Sequence, residues 1–150
     1  MSRMSAPAQS LDAAEVIAAL QLAPHPEGGW YRETWRADET LPGGRAVATA
    51  ILFLLQAGGR SHWHRVDAGE LWLFQAGAPL KLSVAEEAGA CRTVVLGPDV
   101  LAGDAPQHLV PAGAWQSAEA SATGWTLVGC VVAPAFEFKH FELAPADWKP

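Results

Sequence analysis

Glycine and proline limit this chain more than any other feature: 14 Gly and 11 Pro fall among 150 residues, and they separate short apolar or alternating stretches. Segments 46–55, 71–75, 80–84, 92–96, 107–110, 115–118, 126–132 and 136–143 read as strands. Gly77-Ala78-Pro79, Gly97-Pro98-Asp99, Gly103-Asp104-Ala105-Pro106 and Pro111-Ala112-Gly113 read as the turns between them. Strands at that spacing, with no helices interleaved, argue for an all-β sandwich or barrel rather than an α/β sheet. One helix is predicted ahead of them. Ala13, Val16, Ile17 and Leu20 repeat at helical spacing, Asp12 and Glu15 have the form of a capping box, and Pro24 closes the run. The expected architecture is a flexible start over residues 1–10, then a single domain over 11–150: a small β-barrel behind a short N-terminal helix.

The chain is 50% hydrophobic and 17% charged, so it can fill a core and bulk disorder is not expected. The formal net charge is −6 and no stretch concentrates Lys or Arg, which argues against nucleic acid as a partner. The longest apolar run, 46–55, has about half the length that a membrane-spanning helix needs. Residues 1–10 hold one Arg and no apolar segment, unlike a signal peptide. Cys91 and Cys130 make no disulfide framework and are expected to be buried, inert thiols. A soluble cytoplasmic protein with no membrane partner is the expectation.

The densest chemistry lies in residues 59–70. On a regular strand His62 and His64 point the same way, because side chains alternate with period two. A carboxylate on the next strand, Glu70, completes a two-His, one-carboxylate set of the kind that binds a metal. The bland alternative is a pair of surface or stacked histidines. Glu70, Trp72 and Phe74 share a strand face, so the seven tryptophans are read either as core filling or, at Trp72, as pocket lining. Without a metal, His64 and Glu70 can act as a general acid/base pair in an apolar barrel. Glu27-Gly28-Gly29 lacks the Gly-Lys-Ser/Thr pattern of a phosphate loop and reads as a tight turn. Arg32, Arg36 and Arg65 are either clamps for an anionic ligand or solvated surface groups. His25 and His140 read as structural, and His108 stays open. The absence of a Gly-x-Ser-x-Gly elbow disfavours a serine hydrolase.

His-x-His, Glu70 and then Gly77 resemble the first motif of the cupin superfamily, and Val110-Pro111-Ala112-Gly113-Ala114-Trp115-Gln116 resembles the second. The likeness is closer to one branch, the type-five cupins of unknown function. It rests on Pro24-His25-Pro26-Glu27-Gly28-Gly29 with Tyr31 and Glu33-Thr34, and on Ser61 to Glu70 with Trp72 and Gly77-Ala78-Pro79-Leu80. Gln107, Gly124-Trp125-Thr126-Leu127-Val128-Gly129-Cys130, Val132-Ala133-Pro134, Phe136, Phe138 and Phe141-Glu142 extend it, so that it covers about residues 12 to 143. The resemblance implies a double-stranded β-helix, the cupin jelly-roll barrel, and a homodimer. It also implies a shape like that of sugar-nucleotide epimerases, in which a tyrosine completes the acid/base set. Here that tyrosine would be Tyr31, beside His64 and Glu70.

Two departures stand out. Gln116 takes the place of the second-motif His of metal cupins, and five residues separate His64 from Glu70 where three or four are usual. A divalent metal (Fe, Mn, Ni or Zn) held by His62, His64 and Glu70, with Gln116 as fourth ligand, and a metal-free site therefore both stand open. The pocket is expected to include Trp72, Phe74, Arg65 and Gln116. The function implied is small-molecule binding, with isomerase or epimerase-like chemistry on a sugar or sugar nucleotide as the first reading. A non-catalytic ligand-binding module and an iron-dependent oxygenase are the alternatives.

Overall fold

A computed structural model describes residues 12–87 and 90–150. The expectation for residues 1–10 lies outside the described residues. The predicted helix is present as α1 (Ala13–Leu20), with the Asp12 carboxylate accepting from the Ala14 N–H at 2.7 Å. It stops at Gln21, whose φ of 56° lies in the left-handed region, before Pro24 is reached.

The strands that follow are β1 (Ala23–Pro24), β2 (Trp30–Arg36), β3 (Thr49–Leu55), β4 (Arg60–Val66), β5 (Gly69–Gly77) and β6 (Leu80–Glu87). They continue with β7 (Ala90–Leu96), β8 (Gln107–Val110), β9 (Trp115–Ala120), β10 (Thr126–Ala133) and β11 (Phe141–Leu143). They form two antiparallel sheets, ordered β1-β2-β3-β10-β5-β8 and β11-β4-β9-β6-β7. Chain neighbours often sit in opposite sheets, so the two sheets are laced together by the chain crossing between them.

Between the sheets lies the main core: Phe53, Leu55, Trp72, Leu82, Val84, Ala118, Val128 and Cys130 come from both layers. Their alternation with more exposed neighbours is the period-two signal that marked these segments as strands. A second cluster forms on the outer face of the six-stranded sheet, where Val16, Ile17 and Leu20 of α1 meet Leu54, Trp125 and Leu127. The helix thus caps one sheet and leaves the barrel interior alone. Gly77 closes β5 with φ of 90°, and any Cβ there would collide with the Trp125 carbonyl.

Three sequence expectations change. β2 was absent from the predicted strands, because WYRETWR is polar and mostly exposed and has its register broken between Glu33 and Trp35. Segment 136–143 is a strand only at Phe141–Leu143, a 3-10 turn occupying Phe138–His140. Cys91, expected to be buried, is exposed on edge strand β7, while Cys130 is buried.

Candidate functional site

The hairpin joining β1 to β2 builds one wall. Its turn is closed by the His25 N–H to the Gly29 carbonyl (2.9 Å) and the Gly28 N–H to the His25 carbonyl (3.0 Å). Gly28 has φ of 106°, and a Cβ there would overlap the Arg60 carbonyl, so the turn lies directly on β4. The His62 N–H then donates to the Glu27 carbonyl at 2.8 Å. These contacts hold the Glu27 side chain inside, only 8% exposed, with Oε2 3.0 Å from His64 Nε2.

His64 has both ring nitrogens engaged, since Nδ1 lies 2.7 Å from the His62 carbonyl oxygen. Two acceptors facing one imidazole require two N–H donors, so the ring is an imidazolium. Burial alone would lower its pKa. The Glu27 charge and hydrogen bond, with Glu70 and the His62 carbonyl, outweigh burial and raise it to about 9. Reciprocally, burial pushes Glu27 upward, but the charge and hydrogen bond of His64 hold it below its ordinary value. His25 behaves differently. Its Nδ1 accepts from the Glu27 N–H at 3.1 Å, and rings of Tyr31, Phe53, Phe136, Phe138 and Phe141 surround it. Desolvation lowers its pKa, so it stays neutral and its 3.8 Å approach to Glu27 is not an ion pair.

Across the cavity, β5 supplies Glu70, 7% exposed. Its Oε1 accepts from Gln116 Nε2 at 2.9 Å, and Gln116 Oε1 accepts from Trp72 Nε1 at 2.8 Å. An indole N–H only donates, which fixes the orientation of the fully buried carboxamide: carbonyl toward Trp72, NH2 toward Glu70. Burial raises the pKa of Glu70 to about 7. The His64 charge opposes this, Glu27 reinforces it, and the bonds from Gln116 and Cys130 reduce it.

These groups open onto one cavity of about 360 Å3. His25, Glu27, His64 and Glu70 form its polar floor, and Ile51, Val66 and Val132 form an apolar collar. Tyr31, Glu33, Arg36, Phe136, Glu137 and Phe138 surround the rest. The β2 irregularity between Glu33 and Trp35 explains how both Glu33 and Arg36 face inward, 2.7 Å apart. The segment bearing Phe136 is tied down by Arg36 to the Phe136 carbonyl (3.1 Å), Arg45 to the Ala135 carbonyl (2.8 Å) and the Phe136 N–H to Thr49 Oγ1 (2.9 Å).

The structure brings Tyr31, His64 and Glu70 to this cavity. The residues expected as pocket lining are placed elsewhere. Trp72 and Gln116 lie beneath the floor and Phe74 packs on the main core. Arg65 faces outward, stacked over Trp115 at 4.6 Å and paired with Glu142 at 2.6 Å. His62 does not join His64: the strand register shifts between Ser61 and His64, and the His62 ring meets the Pro145 carbonyl at 2.8 Å. The expected ligand set therefore does not fit a metal as arranged. His62 is turned away, His64 gives both nitrogens to hydrogen bonds, and the Gln116 oxygen faces Trp72. Among the described residues, no cluster of three or more His, Cys, Asp or Glu has metal-binding geometry. Sequence reasoning missed Glu27, read as turn, and His25, read as structural. The sequence marked Glu27 only by its place between Pro26 and Gly28 in a tight turn; that this turn lies on β4 is seen in the structure alone.

Residues 14–144 match the family described as Cupin superfamily (DUF985). The chain is 40% identical to a solved Shewanella oneidensis protein, covering 89% of this chain and 85% of that one, with a TM-score of 0.85. It is 33% identical to a hypothetical protein from Leishmania major, covering 89% and 88%, with a TM-score of 0.80. An oxalate decarboxylase from Bacillus subtilis shares the fold at a TM-score of 0.61 and 17% identity, over 80% of this chain and 29% of that one. No curated protein matches the sequence.

Proposed function

The chain belongs to the DUF985 family of the cupin superfamily, and from that premise we propose that its jelly roll houses a proton-transfer site for a small polar metabolite, with isomerase or epimerase-like chemistry. One observation carries this reading: Glu70, buried at the floor of the cavity, has its pKa raised to about 7. A carboxyl balanced near neutrality can both take and return a proton. His64, held as an imidazolium, supplies positive charge to an oxyanion forming nearby, although both its N–H groups are bound within the protein. Tyr31 lines the cavity from β2 and offers a hydroxyl as donor. Glu27 keeps His64 charged and is a positioning residue.

Size favours a sugar over a sugar nucleotide. At about 30 Å3 per water-sized group, the 360 Å3 cavity holds roughly a dozen non-hydrogen atoms, the count of a monosaccharide. The test is deuterium exchange from D2O into carbon positions beside the carbonyl of a panel of aldoses and ketoses. Wild type is expected to exchange at least one member, with Glu70→Gln slower by about 100-fold or more and Tyr31→Phe slowed less. Exchange undiminished in Glu70→Gln would remove the proton-transfer reading.

Non-catalytic binding is the second reading, favoured by the saturation of both His64 nitrogens. Binding of a panel member without exchange selects it. A homodimer belongs to the same proposal and is tested by light scattering on the full chain. Among the described residues no helix is long and apolar enough to cross a membrane.

A further inference from the structure

The charges that face the cavity do not balance. Glu27, Glu33, Glu70 and Glu137 line it against Arg36 and His64. Both cations are already engaged, His64 by Glu27 at 3.0 Å and Arg36 by Glu33 at 2.7 Å. Glu137 has Lys139 at 3.2 Å. Glu70 is left, more than nine-tenths buried and bonded to the uncharged Gln116 amide, with no ion-pair partner among the described residues.

We infer that the ligand supplies the missing cation: a protonated amine on a polar body of about monosaccharide size, seated with its nitrogen against the Glu70 carboxylate. The inference rests on the cavity and on Glu70 as its working carboxyl. A phosphate or carboxylate ligand would meet four acidic side chains and find the Arg36 Nε and one terminal nitrogen occupied by Glu33. A neutral ligand would leave Glu70 with only the charge of His64, which Glu27 already pairs at 3.0 Å. An ammonium forms a charge-assisted hydrogen bond instead, and its approach past the rings of Tyr31, Phe136 and Phe138 is favoured by their negative faces. The added cation also favours the ionised form of Glu70, lowering its pKa and releasing the proton it carries near neutral pH.

The experiment is calorimetric titration of the full chain at pH 7, in two buffers of different ionisation heat. The probes are D-glucosamine, D-galactosamine and D-mannosamine, each beside its N-acetyl and 6-phosphate counterparts. One amine is expected to bind at least about tenfold more tightly than its N-acetyl form, with a proton release from Glu70 that is lost in Glu70→Gln. Glu70→Gln, matched to wild type by circular dichroism, is expected to bring the two forms within about twofold. The inference is overturned by tighter binding of a phosphate or N-acetyl form, by binding of no amine, or by an amine preference that survives in Glu70→Gln. Its fate is separable from that of the proton-transfer reading. Deuterium exchange into neutral sugars without amine binding overturns the amine alone, whereas amine binding without exchange overturns proton transfer alone.

Discussion

Replacing Glu70 with Gln should make the protein more stable, and by an amount that depends on pH. A carboxyl whose folded pKa is raised binds its proton more tightly in the folded state, so folding is penalised once the group must ionise. The penalty is absent below 4.5, grows as pH rises from 4.5, and is complete above about 7. At about 1.4 kcal/mol per pH unit, the interval from 4.5 to about 7 gives a full penalty of about 3 kcal/mol. Glutamine keeps an oxygen to accept from Gln116 Nε2 and has nearly the same volume, so packing and the floor hydrogen bond persist. The assay is urea unfolding of wild type and Glu70→Gln at intervals from pH 4.5 to 8. The variant's advantage should rise through this window by about 3 kcal/mol. His64 remains charged there, since its pKa is about 9 and Glu27 is its main support. A difference flat to within about 0.5 kcal/mol across the window would refute the claim that burial holds Glu70 near neutrality.

Glu27→Gln should act in the opposite sense. It removes the carboxylate that keeps His64 charged, so that burial prevails and the imidazole pKa falls well below about 9 in an NMR titration, and it reduces stability at pH 7 by about 3 kcal/mol. In wild type the His64 contribution is complete below 6.5 and is lost as pH rises through about 9; the variant should lack that decline. Gly28→Ala should cost more than about 2 kcal/mol in thermal unfolding, because it combines left-handed backbone with overlap on the Arg60 carbonyl. Cys91 should react with a thiol reagent in the native protein at one equivalent. Cys130, buried beside Glu70 with its pKa pushed up by desolvation, should react only after unfolding.

The strands with apolar alternation were legible because their signal is local. Val128 and Cys130 of β10, or Leu82 and Val84 of β6, face the core two residues apart as the pleat requires. β2 defeated that logic. Its inward residues are Tyr31, Glu33 and Arg36, whose polarity belongs to the cavity and whose spacing is broken by the irregularity. The same cause separated His62 from His64, since alternation predicts a shared face only while the register runs unbroken. Gly28 was readable as a glycine that a turn requires, and the Arg60 carbonyl beneath it agrees. The partnership of Glu27 with His64 had no such local mark. It spans strands distant in sequence and exists only because the hairpin lies flat on β4.

The floor of the cavity has one further consequence. Behind Glu70 stand a carboxamide, an indole and the Cys130 thiol, whose pKa is pushed up by burial, and none of them gains or loses a proton near neutral pH. Hydrogen bonds run through the first two in one direction, from Trp72 to Gln116 to Glu70, and the sequence ends in the main core. The back of the site is thus an insulator. A proton that reaches or leaves Glu70 must travel by the cavity side, through the ligand or through water beside it. A ligand that fills the cavity would screen that carboxyl from bulk acid and base, so that proton exchange runs through the bound molecule and the groups that share the cavity floor.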